Sequence, residues 1–411
     1  MNFRLLLSAA VTVLIFCTYF TSLSQIDRRD KGILIERKNE TWDTIVKEIG
    51  EFEKVETPKK PSFILDFTGI EVPKSIEECK PIWHNKPVMQ SWTGTCWSFA
   101  STSYLESEVY RLNKKEVKLS EMHTVYYEYL AKVKRYISER GNSLVSEGSE
   151  TNATLRILSE FGAVPVSVYS GMKPGQKHHS HEKIASEISK YLLNCKNNSL
   201  WNENEILGNV RAILNYYMTE PPAKFSYEGK EYTPLSFMNN YLKINPNDYV
   251  DIMSLLEPGY WKQTVYDVPD NWWKSDVYYN VPLDDFMAAI NKAVENGYSV
   301  AIGGDVSEAG MYSYADAAVV PSFDIPSSYI DDMARQFRFS NNTTTDDHAI
   351  HIVGKTKNSA GDWFLIKDSG SGARNGKFKG YYFFHSDFVK LKMTTFMIHK
   401  DAVKELLEKF K

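Results

Sequence analysis

The chain has 411 residues, of which 43% are hydrophobic, and its 48 basic and 52 acidic side chains give a formal net charge of -4. This composition is typical of a globular protein and excludes an intrinsically disordered one. The sequence contains no long basic patch, so its charge gives no support for binding to nucleic acid. The part of the chain that follows residue 62 is long for one compact unit and suits two packed lobes that share a cleft.

The N-terminus reads as a targeting segment. A short basic lead is followed by an apolar run, Leu5–Phe20, and then by small residues. This pattern predicts a signal peptide over residues 1–24 and export to the periplasm or out of the cell. Residues 4–23 are also just long enough to span a bilayer, so an uncleaved membrane anchor is the alternative. Residues 25–62 are charged and partly amphipathic, which indicates an N-terminal arm or a propeptide.

Periodicity predicts helices in the first half of the remaining chain and strands in its last third. The segments with helical spacing are Trp97–Val133, Thr151–Phe161, Glu182–Leu193, Asn204–Tyr217 and Leu283–Glu295. The segments with strand-like runs are Tyr298–Gly303 and Ala349–Phe384. The region around 201–280 has no readable function, and we interpret it as an insertion in the main scaffold.

The stretch from Gln90 to Ala100 places Cys96 where a turn rich in Thr and Gly becomes a helix. The unpaired N–H groups and the dipole of a helix start favour a thiolate at this position. Gln90 lies six residues earlier and carries an amide that is able to donate to a developing oxyanion. A buried structural cysteine is the alternative, but the glutamine, the turn and the helix start together favour a nucleophile.

A thiolate nucleophile needs a base, and nine histidines are available. The informative segments are 348–354 and 363–370, which are short, apolar and β-prone and are separated by turn residues. An antiparallel hairpin centred near Asn358 predicts that His348 lies directly opposite Asp368. In such a pair the histidine takes the thiol proton and the carboxylate fixes the orientation of the imidazole.

His351 is the competing histidine. It lies three residues after His348 and therefore points to the opposite face of the strand. We interpret it as a packing or supporting residue. The predicted site is then Cys96 as nucleophile, His348 as base, Asp368 as the orienting group and Gln90 as the oxyanion donor.

These residues carry a resemblance to a known family. The stretch from Gln90 to Ala100, with His348 and Asp368, resembles the papain-type cysteine peptidases, and it is closer to their bleomycin-hydrolase (aminopeptidase C) branch than to the secreted cathepsins. Cathepsins have a second cysteine three residues before the nucleophile, and that position is Thr93 here. Further stretches resemble the same branch in colinear order, namely Leu119–Glu121, Leu158–Pro165, Pro221–Phe225, Tyr232–Phe237, Val300–Val306 and Gly380–Tyr382.

The resemblance implies an α+β, papain-like two-lobe fold, with a helical left lobe, an antiparallel β-rich right lobe and the active site in the cleft between them. The expected peptidase domain spans residues 63–411 and includes the insertion at about 201–280. The implied activity is hydrolysis of a peptide or protein substrate by a thiol peptidase, with no cofactor and no metal. The resemblance leaves the oligomeric state open.

Several features depart from the family pattern. Asp368 stands where the family has asparagine, and Gly370 stands where it has tryptophan. These departures leave a catalytically weakened or non-catalytic peptide-binding protein as the alternative. The C-terminal tail that restricts bleomycin hydrolases to chain ends is not found after Asp401–Phe410, so aminopeptidase and endopeptidase both stay open. Cys79 and Cys195 are expected either to pair in an oxidising compartment or to remain buried thiols.

Overall fold

The structure, a computed structural model, describes residues 63–410 as helices packed against one large sheet. The predicted signal peptide (1–24) and the predicted arm or propeptide (25–62) lie outside the described residues. Within the described residues, no helix has both the length and the apolar character that a membrane crossing requires.

The helices dominate the first half of the described chain. In chain order they are α1 (Cys96–Asn113), α2 (Glu121–Ser138), α3 (Thr151–Phe161), α4 (Glu182–Asn197), α5 (Glu203–Met218), α6 (Pro234–Ser236), α7 (Leu283–Glu295), α8 (Asp332–Ser340), α9 (Ser386–Lys392) and α10 (Lys404–Leu407). The segment predicted as one helical region over Trp97–Val133 is two helices. Lys114 ends α1 in the left-handed conformation, and Ser120 caps α2 by accepting the N–H of His123.

The strands belong to one hairpin and one large sheet. They are β1 (Phe225–Tyr227), β2 (Lys230–Tyr232), β3 (Tyr249–Met253), β4 (Lys262–Thr264), β5 (Tyr278–Asn280), β6 (Val300–Gly304), β7 (Met311–Tyr312), β8 (Ala317–Ala318), β9 (His348–Asn358), β10 (Gly361–Lys367), β11 (Tyr381–His385) and β12 (Met393–His399). β1 and β2 pair only with each other, and the others form a ten-stranded sheet in the order β4-β5-β3-β12-β6-β9-β10-β11-β8-β7. Neighbours are antiparallel except in the pairs β3–β5 and β8–β11.

α1 is the helix on which the helical part and the sheet meet. Every residue from Trp97 to Val109 is buried. Small polar side chains of α1 allow close packing, and several of them find a partner across the contact. Ser101 Oγ bonds to Thr154 Oγ1 of α3 at 2.6 Å, and Ser103 Oγ bonds to His351 Nδ1 of β9 at 2.8 Å. The first turns of α1 are therefore fixed relative to the start of β9.

The apolar side chains form separate cores on the two faces of the sheet. One core is formed mainly by α1 to α5, and a second lies between α7 and the sheet. Cys195 belongs to the first core, whereas Cys79 lies in a smaller apolar cluster with Val353 and Trp363. Both cysteines are buried and free, so of the two alternatives the structure has the buried thiols.

The segment predicted as an insertion, about 201–280, contributes to the helical part of the fold and to the sheet. It contains α5, the β1–β2 hairpin and the strands β3 to β5. β3 pairs with β12 inside the large sheet, and all five of its residues are buried. The second half of this segment therefore extends the main sheet.

Candidate active site

Cys96 is the first residue of α1 and is half-buried. Its N-cap, Thr95, makes no side-chain bond to the first turn. The helix start therefore offers its dipole and its free N–H groups to the region of the thiol without a competing side-chain acceptor.

Glu147 holds the turn that precedes Cys96. Its carboxylate accepts the N–H of Gly94 at 2.7 Å, and its carbonyl accepts the indole N–H of Trp97 at 3.0 Å. These two bonds fix the residues on either side of the thiol. The sequence analysis missed Glu147, because it lies between α2 and α3 and no local pattern connects it with Cys96.

His348 and Asp368 lie at the open end of the β9–β10 hairpin, but the predicted register of this hairpin is wrong. The structure pairs Gly361 with Asn358 and Trp363 with Thr356. Asn358 is the last residue of its strand because its side-chain oxygen accepts the N–H of Ala360 at 2.9 Å and so starts the turn. The turn is therefore centred after Asn358 and not on it.

A β-bulge at Val353 changes which residues of β9 and β10 share a face of the hairpin. It shifts the pairing by one residue, so that Lys367 lies opposite His351. The same register, continued by one residue, brings Asp368 to the face of β9 that carries His348. The two residues are diagonal neighbours and not the directly opposite pair that the sequence predicts. Without the bulge, Asp368 would lie opposite His351.

The structure brings Cys96, His348 and Asp368 together. His348 Nε2 lies 3.1 Å from Asp368 Oδ2, and the Cys96 thiol lies close enough to the ring to affect the pKa of His348. Burial disfavours the imidazolium, but the charge of Asp368 and the bonds to Asp368 and Cys96 outweigh it. They raise the pKa of His348 well above its usual value. The imidazole is therefore held in its charged form beside the thiol.

Asp368 is buried and remains ionised because its oxygens have donors. Burial opposes ionisation, but the charge and hydrogen bond of His348, the N–H of Gly370 and the charge of Arg374 together lower the pKa of Asp368. The Gly370 N–H donates to Oδ1, and His348 occupies Oδ2. Each carboxylate oxygen thus has its own partner.

Arg374 is a second residue that the sequence analysis missed. Its guanidinium donates to the carbonyls of Asp368 at 2.7 Å, of Gly370 at 2.6 Å and of Val88 at 2.9 Å. These bonds tie the loop after β10 to the segment that leads to Cys96. A planar donor with several N–H groups suits this role, because it reaches three carbonyls at once.

Gln90 is fixed by bonds on both ends of its amide. Its oxygen accepts the hydroxyl of Ser369 at 2.7 Å, and its Nε2 donates to the carbonyl of Thr93 at 2.7 Å. Its backbone N–H donates to the carbonyl of Ser369 at 3.0 Å. One of the two Nε2 hydrogens is therefore engaged by the turn, and the amide cannot rotate without losing the bond from Ser369.

His351 lies on the other face of β9 and is buried against α1. Its Nδ1 bonds to Ser103 Oγ, and its ring packs edge-on against Tyr104. Burial and the nearby charge of Lys367 lower the pKa of His351 well below its usual value. It is a neutral histidine between sheet and helix. Among the residues that the structure describes, no three His, Cys, Asp or Glu side chains are grouped to hold a metal ion.

Comparison with known proteins gives one family and one informative fold. A family profile described as the Peptidase C1-like family matches residues 134–411 and so includes His348 and Asp368. The crystal structure of PepW from Lactobacillus rhamnosis HN001 (DR20) is similar, with a TM-score of 0.61, 17% identity, and coverage of 80% of this chain and 85% of that one. A structure from work on the mite allergens Blo t 1 and Der p 1 matches with a TM-score of only 0.36, 13% identity and coverage of 84% and 73%.

A search of curated protein sequences gave no match. The family profile covers more than half of the chain and shows the family, and the likeness to PepW shows the fold. The chain belongs to the Peptidase C1-like family and has the papain-like α+β fold that its sequence predicts.

Proposed function

We propose that the protein is a cysteine peptidase that hydrolyses a peptide or protein substrate through Cys96, His348 and Asp368. Membership of the Peptidase C1-like family supports peptidase function. The observation that carries the proposal is that the three side chains lie beside one another, with His348 bonded to Asp368 and next to Cys96. This arrangement joins a helix start to the end of a hairpin from a distant part of the chain.

The chemistry follows from the charges of these groups. The Cys96 thiolate attacks the peptide carbonyl, and the His348 imidazolium gives its proton to the leaving amine. Water then attacks the thioester, and His348 accepts the proton of that water. Asp368 keeps Nε2 of His348 protonated, so that the other ring nitrogen faces the thiol and exchanges the proton.

Gln90 and the Cys96 N–H are the proposed oxyanion donors. The Gln90 amide has one Nε2 hydrogen beyond the one given to Thr93, and Ser369 fixes its orientation. A donor of this kind contributes on the order of 3 kcal/mol to the transition state. A Gln90→Ala variant is therefore expected to fold and to turn over about a hundredfold more slowly. Unchanged turnover would remove Gln90 from the mechanism.

The finer assignment is also a proposal. The resemblance in sequence favours the bleomycin-hydrolase branch and an exported enzyme, which the signal-peptide pattern of residues 1–24 supports. Peptide libraries with free and with blocked N-termini distinguish an aminopeptidase from an endopeptidase. An aminopeptidase cleaves only the free set, and an endopeptidase cleaves both.

The decisive experiment is the pH dependence of alkylation of Cys96 by iodoacetamide. Mass spectrometry assigns the label to Cys96 and separates it from the buried Cys79 and Cys195. We expect fast labelling well below pH 8 in the wild type and loss of this fast labelling in His348→Ala. Labelling that rises only near the free-thiol pKa of about 8.5 would contradict the thiolate–imidazolium pair. The alternative, a non-catalytic peptide-binding protein, would then be favoured.

A further inference from the structure

A cavity of about 390 Å³ lies on the face of α3 that turns away from α1. Four residues of α3 line it at the spacing of one helix face, namely Asn152, Leu155, Arg156 and Ser159. Thr154, which bonds to α1, lies on the opposite face. The other walls come from within residues 246–251 and 263–279 and from Lys400. The segment predicted as an insertion, whose function the sequence does not show, therefore supplies most of the cavity wall.

The closed end of the cavity holds two buried polar side chains that lack hydrogen-bond partners. Asn152 is 6% exposed, and Asp251 is 3% exposed. Among the described residues, neither amide atom of Asn152 has a partner, and Oδ1 of Asp251 has none either. Buried polar groups without partners are costly, and nearly all such groups in folded proteins are paired. These atoms therefore need a partner that the described part of the chain does not supply.

Arg156 adds a third unpaired group on the same wall. Its Nη2 donates to the carboxylate of Glu128, whereas its Nε is buried and has no partner within the part of the chain that the structure describes. The Cζ atom of this guanidinium lies 4.8 Å from the centre of the Trp273 ring. Since Glu128 compensates the charge of Arg156, the Nε atom remains as a free N–H donor beside an aromatic wall.

The unpaired atoms include both donors and acceptors. Burial raises the pKa of Asp251 to about 8, and Asn152 opposes this shift only in part, so Asp251 keeps its proton at neutral pH. The donors are then the Asn152 amide, the Arg156 Nε–H and the Asp251 carboxyl O–H, and the acceptors are the oxygens of Asn152 and Asp251. An ammonium has no acceptor for these donors, and a phosphate or carboxylate has no donor for these oxygens. A hydroxyl group donates and accepts, so it matches both sets.

The remaining wall of the cavity is largely apolar and aromatic. Trp273 and Tyr279 line it, and both are half-buried, so part of each ring is open to a ligand. Small-molecule sites combine such walls with a few convergent polar groups, and their volumes are about 300–1,000 Å³. A ring that carries hydroxyl groups at its edge and C–H groups on its faces fits both features of this cavity.

We propose that this cavity binds a neutral sugar ring. The hydroxyl groups of the sugar pair with Asn152, Asp251 and the Nε–H of Arg156, and its C–H face packs against Trp273. The inference goes beyond the proposed peptidase function and does not depend on it, because the cavity lies on the face of α3 away from α1. Two sources supply such a ring, namely a free sugar and a sugar linked in a glycan.

Saturation-transfer NMR and calorimetry on the purified protein test the inference. The probes are glucose, galactose, mannose and N-acetylglucosamine, each as the free sugar and as its methyl glycoside. We expect at least one of them to bind with a Kd of about 1 mM or lower. Equal binding of a sugar and its glycoside identifies a glycan-linked ligand, since the methyl group blocks the anomeric oxygen as a glycosidic bond does. Binding of the free form alone identifies a free sugar.

Variants assign the binding to the cavity. The double variant Asn152→Leu/Asp251→Leu nearly keeps the side-chain shapes, and we expect it to bind sugar at least about tenfold more weakly. Its Tm should stay unchanged or rise, because apolar groups replace buried polar groups that lack partners. Trp273→Ala should lower the affinity similarly, and it carries the test if the double variant fails to fold. Trp261→Ala is the matched control, because this tryptophan is 36% exposed in the same segment and does not line the cavity.

Each outcome supports or overturns the inference. Weaker binding in both cavity variants, with binding kept in Trp261→Ala, supports it. No binding of any sugar, or an affinity that both cavity variants keep, overturns it. Tighter binding of cyclohexanol or of tetramethylammonium than of every sugar contradicts the ligand class. A crystal structure at saturating sugar in which only ordered water contacts Asn152 and Asp251 also overturns the inference, because the two side chains are then a solvated structural pair.

Discussion

Two carboxyl groups near His348 in the chain or in space, Asp368 and Asp346, have pKa values that are shifted in opposite directions. Asp368 has a donor for each oxygen, and the pKa of Asp368 is lowered despite its burial. Burial, together with the charges of Asp270, Asp347 and Asp305, raises the pKa of Asp346. Burial acts in the same direction at both positions. The difference therefore lies in the partners: donors and a cation stabilise the charged form, and other carboxylates oppose it.

This difference assigns different roles to the two groups. Asp368 is already saturated by His348 and by the Gly370 N–H, so it is able to orient the base but not to bind a ligand. Glu150, which lies next to Asp346, has an oxygen without a hydrogen-bond partner. The same kind of side chain thus supports the base at Asp368 and is only partly paired at Glu150.

The largest expected effect is that of Asp368→Asn. An amide has only one oxygen for the donors of His348 and Gly370. One buried donor then loses its acceptor, which costs about 1–3 kcal/mol and corresponds to about a five- to 150-fold decrease in turnover. Steady-state kinetics on a neutral peptide measures it, with Asp346→Asn as the matched control. A fully active Asp368→Asn variant would contradict the two-acceptor role of this carboxylate.

The opposite charge states predict opposite effects of pH on stability. A carboxyl group with a raised folded-state pKa binds more protons when folded, so Asp346 destabilises the fold as pH rises above about 4 through neutrality. One unit of pKa corresponds to about 1.4 kcal/mol, or about 2–4 °C in Tm for a protein of this size. We expect the wild type to lose Tm between pH 5 and pH 8 and Asp346→Asn to lose less.

The quantity to measure is the difference in the Tm profile between the wild type and Asp346→Asn, because His348 also contributes to the pH dependence of stability. The pKa of His348 is raised, so its stabilisation is complete below its usual value of about 6.5 and is lost as pH rises through the folded-state pKa. Both proteins retain this contribution. Identical Tm profiles for the wild type and Asp346→Asn would show that Asp346 is already paired or charged, contrary to the comparison.

A smaller effect is expected at Arg374. Arg374→Lys keeps the positive charge near Asp368 but loses the planar fork that reaches three carbonyls. The loss of about one net hydrogen bond costs about 1 kcal/mol, or about fivefold in kcat. Since Arg374 acts through the position of Asp368, KM should stay unchanged and the alkaline limb of the pH profile should move. An equal loss of kcat in Arg374→Lys and Arg374→Ala, with an unmoved profile, would indicate only a folding role.

Local sequence was sufficient for the nucleophile side of the site. Cys96 sits at a turn-to-helix boundary whose signals lie within a few residues, and the structure begins α1 at that residue. Thr151–Phe161 and Leu283–Glu295 are helices with the predicted bounds, because their apolar spacing is local as well. The prediction merged α1 and α2 into one helix, because the connection between them, which begins at Lys114, is short.

Long-range geometry limited the prediction of the base side. The pairing register of the hairpin decides whether His348 or His351 lies on the same face as Asp368. The bulge at Val353 shifts that register by one residue. Gly354, beside the bulge, is a local signal for it, but the segment that approaches this glycine, at Cys79 and Ile82, is far away in sequence. Glu147 and Arg374 were missed because they too join segments that are far apart in sequence.

The smallest expected effect is at Ser369, and it tests how the oxyanion donor is held. Ser369→Ala removes the hydroxyl that bonds to the Gln90 oxygen, while the Gln90 backbone bond to the Ser369 carbonyl remains. We expect a two- to fivefold loss in kcat, which is about 0.5–1 kcal/mol, because the amide gains freedom to rotate. If the hydroxyl acts only through Gln90, Ser369→Ala has no further effect in a Gln90→Ala background, and the double-mutant cycle shows this coupling. Additive losses would mean that Ser369 acts on the site by another route, for example through the backbone that carries Asp368.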